Sequence, residues 1–300
     1  MKCYMHVNYL EHILPVSEIM RQCASAGYDG IELRGWDVNN KMSQMEYLES
    51  VASEASDHRL DLVFGCRNES FSSDERVRRQ SLETLKTILD FSAAHGGRIL
   101  NVFAGATFAK DVPRSHFEMN GSACAGEEQW RMTVEYFQQA ADHAAPLNMD
   151  ICFETHNGYL HDLAEPTCRL LDRIDRPNAK ANFDYGNIHL NRKNRGLINE
   201  MNMLAGRIGY AHLKNLVSLN QFESRAFFRT PLDAGDINHF VLLRHLLGGG
   251  YRGPLTIENT MPGDKRRWMH HDLAYLKSIL ADLCGCAGHC GNRNDESDLF

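Results

Sequence analysis

Four short apolar runs in the second half of the chain each end in a side chain that can bind a metal ion. The runs ICFETH, ANFDYG, YAHLKN and LTIENT supply Glu154, Asp184, His212 and Glu258. Three carboxylates and one imidazole suit a hard to borderline divalent cation, so we expect one ion, Mn²⁺ first, with Mg²⁺, Co²⁺ or Zn²⁺ as alternatives. Carboxylates that converged without a cation would repel one another and raise their pKa values. The four residues therefore predict a metal centre.

A parallel barrel would bring these four positions together. Short apolar runs alternate with amphipathic stretches along the chain, which indicates strands alternating with helices and hence a parallel sheet. Eight such units predict a single-domain (β/α)8 TIM barrel, whose strand ends carry the chemistry at one face. The alternative, a doubly wound sheet, would carry a glycine-rich turn after the first strand, and the segment NYLEHILPVSE lacks glycine. The predicted strands cover residues 3–10, 30–35, 60–66, 98–105, 150–156, 179–186, 208–215 and 254–260.

Composition excludes several classes of protein. The chain has 300 residues, 43% of them hydrophobic and 24% charged, which is typical of a globular protein. Its formal charge of −7 leaves no basic surplus for nucleic acid. The apolar runs are too short to cross a membrane, and charge and histidine come too early in the first residues for a secretory signal. We therefore expect a cytoplasmic protein that binds neither nucleic acid nor membrane.

The cysteines indicate a reducing environment. The chain has nine, and the first six are scattered, several of them within strand-like runs, as expected for reduced, buried thiols. The last three lie in CGCAGHC, between Cys284 and Cys290, where His289 could join them in chelating a soft metal. The paired C-x-x-C spacing of a structural zinc site is absent, however. We interpret residues 284–300 as a polar tail without fixed structure that follows a barrel domain at 1–283.

Five segments resemble the signatures of the xylose-isomerase-like TIM barrel superfamily (AP endonuclease family 2), which includes sugar isomerases and epimerases. They are AGYDGIELRG, FETHNGYLHD, NFDYGNIHL, AHLKN and GYRGPLTIENT, and the likeness extends over most of the chain. The resemblance implies that Glu154, Asp184, His212 and Glu258 are the family's four metal ligands. It also implies that Glu154 and Glu258 move the proton, as in the ketose 3-epimerase branch, one on each face of the sugar carbon.

The residues and the resemblance together predict an enzyme that isomerises or epimerises a sugar or sugar derivative. A cation on the carbonyl and hydroxyl oxygens would stabilise an enediolate while a carboxylate accepts the proton. A lyase or dehydratase on a keto-sugar or inosose, including keto-C-glycoside cleavage, shares this first step and is the alternative. An endonuclease-IV-like phosphodiesterase is less favoured because strands three and four end without histidine. A non-catalytic partner subunit is less favoured because the four ligands are intact. We expect a small sugar or polyol-ketone substrate and allow for a homo-oligomer.

Further residues are predicted to contact the substrate. His156 lies two residues after Glu154, and Lys214 lies two residues after His212. The family places a substrate-gripping arginine after its histidine ligand, before a Pro/Gly turn. Arg229 matches this arginine best, and Arg225 is the fallback.

Two positions depart from the family pattern. The family often has a histidine three residues after the aspartate ligand, where this chain has Asn187; His189 is the nearby histidine and is assigned to substrate binding. The epimerase branch has a substrate-binding glutamate six residues after its first glutamate ligand, where this chain has Leu160, followed by His161 and Asp162. The second departure argues against 3-epimerisation of a free ketose and leaves the predicted metal site intact.

Other polar and aromatic residues near the strand ends are given structural roles. For Glu32, a salt bridge with Arg34 or another barrel arginine is favoured over substrate binding. Trp36 and Phe103 are expected to pack in the core rather than against a sugar ring. Four further histidines are interpreted as non-ligands: His6, His12, His270 and His271.

Overall fold

The computed structural model describes residues 1–39, 41–219 and 226–287. Eight of the strands in this part of the chain form a closed parallel barrel, as predicted. The strands are β1 (Cys3–His6), β2 (Gly30–Arg34), β3 (Asp61–Cys66), β4 (Ile99–Val102), β5 (Asp150–Glu154), β6 (Ala179–Asp184), β7 (Ile208–Leu213), β8 (Asn215–Ser218), β9 (Phe227–Thr230) and β10 (Leu255–Ile257). Eight of these ten strands form the barrel, in the order β1-β10-β7-β6-β5-β4-β3-β2. The other two, β8 and β9, pair with each other in a separate sheet.

Helices alternate with the barrel strands and cover the outside of the barrel. They are α1 (Val16–Ala26), α2 (Gln44–His58), α3 (Glu75–Ala94), α4 (Glu127–Ala144), α5 (Ala164–Ile174), α6 (Tyr185–His189), α7 (Leu197–Met203), α8 (His239–Gly248) and α9 (Lys265–Ala287). Among the described residues, none of the helices has the length and apolar character to span a bilayer. Helix α9 includes the first residues of the predicted tail, whereas His289 and Cys290 lie outside the described residues.

Side chains inside the barrel form layers because alternate residues of a strand face the same side. Below the ligand candidates lies an apolar cluster that is separate from the main core. Two residues after Cys152 in β5 comes Glu154, and two residues after Tyr210 in β7 comes His212, so each ligand candidate stands above a member of this cluster. The layer is built from Tyr4, Val63, Ile99, Cys152 and Tyr210.

A hairpin that the sequence analysis did not predict follows β7. Strands β8 and β9 pair in antiparallel register, with Leu216 opposite Arg229. The hairpin therefore carries the predicted substrate arginine on the catalytic side of the barrel, next to the end of β7. The fallback residue, Arg225, lies outside the described residues.

Candidate metal centre and active site

The four predicted ligands converge at one end of the barrel. Glu154 and Asp184 are the last residues of β5 and β6, His212 lies near the end of β7, and Glu258 directly follows β10. These four strands are consecutive around the barrel, and one ligand atom from each residue lies within 4.8 Å of the others. Three carboxylates and an imidazole nitrogen at this spacing fit a divalent ion.

The ring of His212 is fixed from the opposite side of the barrel. Its Nε2 lies 2.6 Å from Glu32 Oε2, which also accepts a hydrogen bond of 2.8 Å from the Tyr210 hydroxyl. Its Nδ1 therefore faces the cluster, 3.2 Å from Glu258 Oε2 and 3.5 Å from Glu154 Oε2. A carboxylate that orients a histidine in this way is the usual support of a metal ligand.

The prediction that Glu32 forms a salt bridge with an arginine is therefore wrong. Arg34 instead binds Glu11, with its Nε 2.6 Å from Oε1 and its Nη2 2.9 Å from Oε2. Both side chains of the Glu32–His212 pair are completely buried, which makes a matched partner necessary for each. The sequence holds no local signal for this contact because the two residues are 180 positions apart.

Three asparagines hold the ligand glutamates, and sequence reasoning gave none of them this function. Asn101 Nδ2 donates to Glu154 Oε2 at 3.0 Å and Asn187 Nδ2 donates to Glu154 Oε1 at 3.1 Å. Asn8 Nδ2 donates to Glu258 Oε1 at 2.8 Å. The sequence contained one indication for Asn101, because it is a polar residue within the apolar run RILNVFAG. A buried amide without a hydrogen-bond partner would destabilise the fold at that position.

Lys214 reaches into the ligand cluster. Its Nζ lies 2.6 Å from Asp184 Oδ2 and 2.5 Å from Glu258 Oε2, and the side chain is buried. A Cβ at Gly186 would clash with the Lys214 side chain, so the path of the lysine favours a glycine there. The lysine contributes a positive charge between two of the carboxylates.

The electrostatics of the cluster separate its two glutamates. Burial, reinforced by the charge of Glu258, raises the pKa of Glu154 to about 8. Burial would also raise the pKa of Glu258, but Lys214 and His6 outweigh it and hold that pKa well below its ordinary value. For His212, the nearby carboxylates Glu32 and Glu154 outweigh burial and raise the pKa well above its ordinary value.

A cavity of about 220 Å³ opens above the cluster, and Glu154 and Glu258 line it, whereas Asp184 and His212 do not. Phe103 and Trp36, which were expected to pack in the core, also line this central cavity. The ring of His156 meets Phe103 edge-on, with ring centres 5.6 Å apart. The result is a polar floor with an aromatic wall, which suits a polyhydroxylated ring or chain.

The remaining predicted substrate residues lie in different surroundings. His156 is half-buried, the loss of solvent around its ring lowers its pKa, and its Nδ1 lies 3.0 Å from the Asn157 carbonyl oxygen. His189 lies against Asp236, with Nε2 and Oδ2 3.1 Å apart. Arg229 keeps its Nη1 buried and without a hydrogen-bond partner in the part of the chain that the structure describes. The structure thus brings His156 and Lys214 to the site and places His189 beside the hairpin.

Comparison with known proteins agrees with this geometry. The family model described as xylose isomerase-like TIM barrel matches residues 20–279. The chain belongs to this family. A curated relative, 3-dehydroshikimate dehydratase of Bacillus anthracis, is 23% identical over 254 residues, which cover 80% of this chain and 84% of the relative.

Solved structures of epimerases share the fold. D-allulose 3-epimerase from Methylomonas sp. superposes with a TM-score of 0.73 at 18% identity, covering 93% of this chain and 98% of the other. The 3-keto-D-glucoside 4-epimerase of E. coli superposes with a TM-score of 0.72 at 17% identity, covering 93% of this chain and 99% of the other. The matched relatives are enzymes, epimerases and a dehydratase, in agreement with the prediction of an enzyme.

Proposed function

We propose that this protein is a divalent-metal-dependent isomerase or epimerase of a sugar or sugar derivative. It acts by moving a proton at a carbon next to a carbonyl group. The observation that carries the proposal is the division within the cluster, where Glu154 and Glu258 line the central cavity and Asp184 and His212 do not. The two carboxylates are therefore the members of the cluster that a substrate in this cavity can touch.

Glu154, Asp184, His212 and Glu258 would hold the ion, with Mn²⁺ as the first candidate. When bound, a divalent ion supplies the positive charge that stabilises the oxygens of an enediolate. The protein's own contribution is to keep the carboxylates in place through the amide groups of Asn8, Asn101 and Asn187. Positions that are fixed in advance reduce the reorganisation that proton transfer requires.

The proton transfer uses the two glutamates in turn. One carboxylate takes the proton from carbon, and the electrons of the C–H bond form the enediolate. Glu154 and Glu258 belong to strands separated by β6 and β7, so they approach the substrate from different sides. The other glutamate, or a water that it activates, returns a proton, either to the opposite face, which gives an epimer, or to the neighbouring carbon, which gives an isomer.

Four residues are proposed to bind the substrate: His156, His189, Lys214 and Arg229. For Arg229 the support is its buried Nη1, which has no hydrogen-bond partner among residues 1–39, 41–219 and 226–287. Burial, and then the charge of Arg229, oppose the carboxylates that raise the pKa of Lys214, so the two cations lie near each other. A guanidinium there suits vicinal hydroxyl oxygens or a carboxylate.

A lyase or dehydratase is the second candidate, and Leu160 favours it. The side chain is fully buried and apolar at the position where the epimerase branch has a substrate-binding glutamate. The next residue, His161, accepts a hydrogen bond of 2.9 Å from the Ala104 backbone N–H and supplies no carboxylate either. After the same proton abstraction, loss of a leaving group from the next carbon would give elimination.

Solvent exchange separates the two outcomes. The protein is loaded with Mn²⁺, its metal content is measured, and it is incubated in D₂O with a panel of keto-sugars, inososes and 3-dehydroshikimate. Deuterium incorporation without elimination indicates an isomerase or epimerase, and elimination indicates a lyase. If protein carrying one ion per chain produces neither result on any member of the panel, the proposed function is wrong.

A further inference from the structure

We propose that the mouth of the site binds an anionic group of the substrate, a carboxylate or a phosphate, through Arg67. The inference rests on the proposed function, because the anion belongs to the same ketone that the glutamates deprotonate. It narrows the substrate class from keto-sugars in general to acidic or phosphorylated ketones.

Arg67 stands where two cavities meet. It directly follows β3 and lines both the central cavity and a second one of about 320 Å³, called here the outer cavity. Phe103 and Tyr159 line both cavities as well. A substrate held over the glutamates and extending outward would therefore pass the Arg67 guanidinium.

The two arginines at the mouth of the site, Arg34 and Arg67, differ in how their charges are balanced. Arg34 and Arg67 both lie over the Trp36 ring, with their Cζ atoms 5.9 and 5.1 Å from its centre. Glu11 neutralises Arg34 through two hydrogen bonds. Within the part of the chain that the structure describes, the Arg67 guanidinium has no ion pair, and Glu69, which also lines the outer cavity, does not approach within pairing distance.

The central cluster, in contrast to Arg67, carries an excess of negative charge. Four carboxylates belong to it or touch it, and Lys214 together with a divalent ion would not quite neutralise them. An anionic group would be repelled from this floor and attracted to Arg67 at the mouth, which fixes the orientation of the substrate. The indole beneath the guanidinium restrains it, and the planar fork of donors fits carboxylate or phosphate oxygens.

The test compares matched ligands on the metal-loaded protein. Calorimetry measures the binding of shikimate and of its methyl ester, and of D-fructose 6-phosphate and D-fructose. Deuterium exchange then gives kcat and KM for the two fructose compounds and for 3-dehydroshikimate with its methyl ester. We expect the wild-type protein to bind one charged member at least tenfold more tightly than its neutral partner, and the preferred pair shows whether the anion is a carboxylate or a phosphate.

Arg67→Met should remove this tenfold preference through KM and Kd, with metal content unchanged. Arg67→Lys should keep part of the preference. Arg114→Met is the matched control, because Arg114 is also stacked on an aromatic ring, that of Phe108, with its Cζ 4.6 Å from the ring centre, and does not line either cavity.

Two results would overturn the inference: equal binding of charged and neutral ligands by the wild-type protein, or a preference that survives in Arg67→Met. Both come from binding measurements that do not require turnover. A protein that binds the anions through Arg67 and exchanges no ketone would contradict the proposed function alone.

Discussion

The two halves of the barrel bring different chemistry to the same site. Strands β5, β6, β7 and β10 form what we call the ligand half, since each delivers one of the four clustered metal-ligand candidates. Strands β1 to β4 form the positioning half. Side chains on or just after these strands donate to or orient those candidates. Asn8 and Asn101 do so from strands next to those of Glu258 and Glu154, and Glu32 reaches His212 across the barrel interior.

The difference shows how a dense group of carboxylates can be kept in a folded protein. Negative charges so close together would raise one another's pKa values and destabilise the fold. Here Lys214 in the ligand half supplies one cation, and amide donors from both halves occupy the carboxylate oxygens. Binding and positioning are therefore separable functions, and substitutions in the two halves should have different consequences.

The largest effect is expected from removing ligands. Asp184→Ala and His212→Ala should each abolish metal binding and activity together, because each removes a buried donor that no neighbour replaces. Metal per chain is measured by mass spectrometry after dialysis. Asn8→Ala, in the positioning half, is the control and should keep close to one ion. A double Asp184→Ala, His212→Ala variant that still binds one equivalent as tightly would show that the ligand half is misassigned.

The next largest effect concerns the proton-moving residues within the ligand half. Glu154→Gln and Glu258→Gln keep an oxygen ligand and lose the base, so each should retain some metal while kcat falls by at least about 100-fold. Exchange of the substrate α-proton into D₂O is the direct readout. Wild-type exchange rates in both variants would exclude the glutamates and transfer the role of base to His156 or His189.

A smaller effect is expected in the positioning half. Glu32→Gln should weaken Mn²⁺ binding by about 10- to 100-fold, the usual effect of removing the partner of a metal-bound histidine. It should change kcat of the fully loaded enzyme much less. Tyr210→Phe removes only one hydrogen bond to the same carboxylate and should have a weaker effect on calorimetric affinity. An unchanged Kd in Glu32→Gln would remove the distinction between the two halves.

The smallest effect, taken per pH unit, is a pH dependence of metal affinity. The pKa of Glu154 is raised to about 8, first by burial and then by Glu258. Its proton must leave when a cation binds, so apparent affinity should fall about tenfold for each pH unit below 8 and be independent of this group above it. The pKa of His212 is raised as well, so a second proton must leave when the metal binds. The apparent metal affinity should therefore fall still more steeply as the pH is lowered.

Titrations with Mn²⁺ between about pH 6 and pH 9 measure this slope. Glu154→Gln cannot take up the proton, and its slope should be shallower by one proton than that of the wild-type protein. The same slope in both proteins would mean that Glu154 is already ionised before the metal binds.

The ligand half was predictable from the sequence because its information is local. Glu154, Asp184, His212 and Glu258 each come at the end of an apolar run, and strand ends of a parallel barrel meet at one face. The barrel itself follows from the alternation of such runs with amphipathic stretches. Both predictions need only the neighbours of each residue along the chain.

The positioning half was not predictable in the same way. Glu32 binds His212 rather than an arginine, because the closed barrel brings inward-facing side chains of β2 and β7 into contact across its interior. Asn101 carries no charge, and its donors find Glu154 only in the folded barrel. The β8–β9 hairpin is made of two short strands whose pairing with each other, rather than with the barrel, has no sequence signal of its own.

The most direct measurement is anomalous scattering at the manganese edge from crystals of the Mn²⁺-loaded protein. The account predicts one strong peak per chain, bonded to His212 Nδ1 and to carboxylate oxygens of Glu154, Asp184 and Glu258, with His212 Nε2 still bound to Glu32. No peak at this position, or an ion bound through His212 Nε2 in place of Glu32, would contradict the division of the barrel into a ligand half and a positioning half.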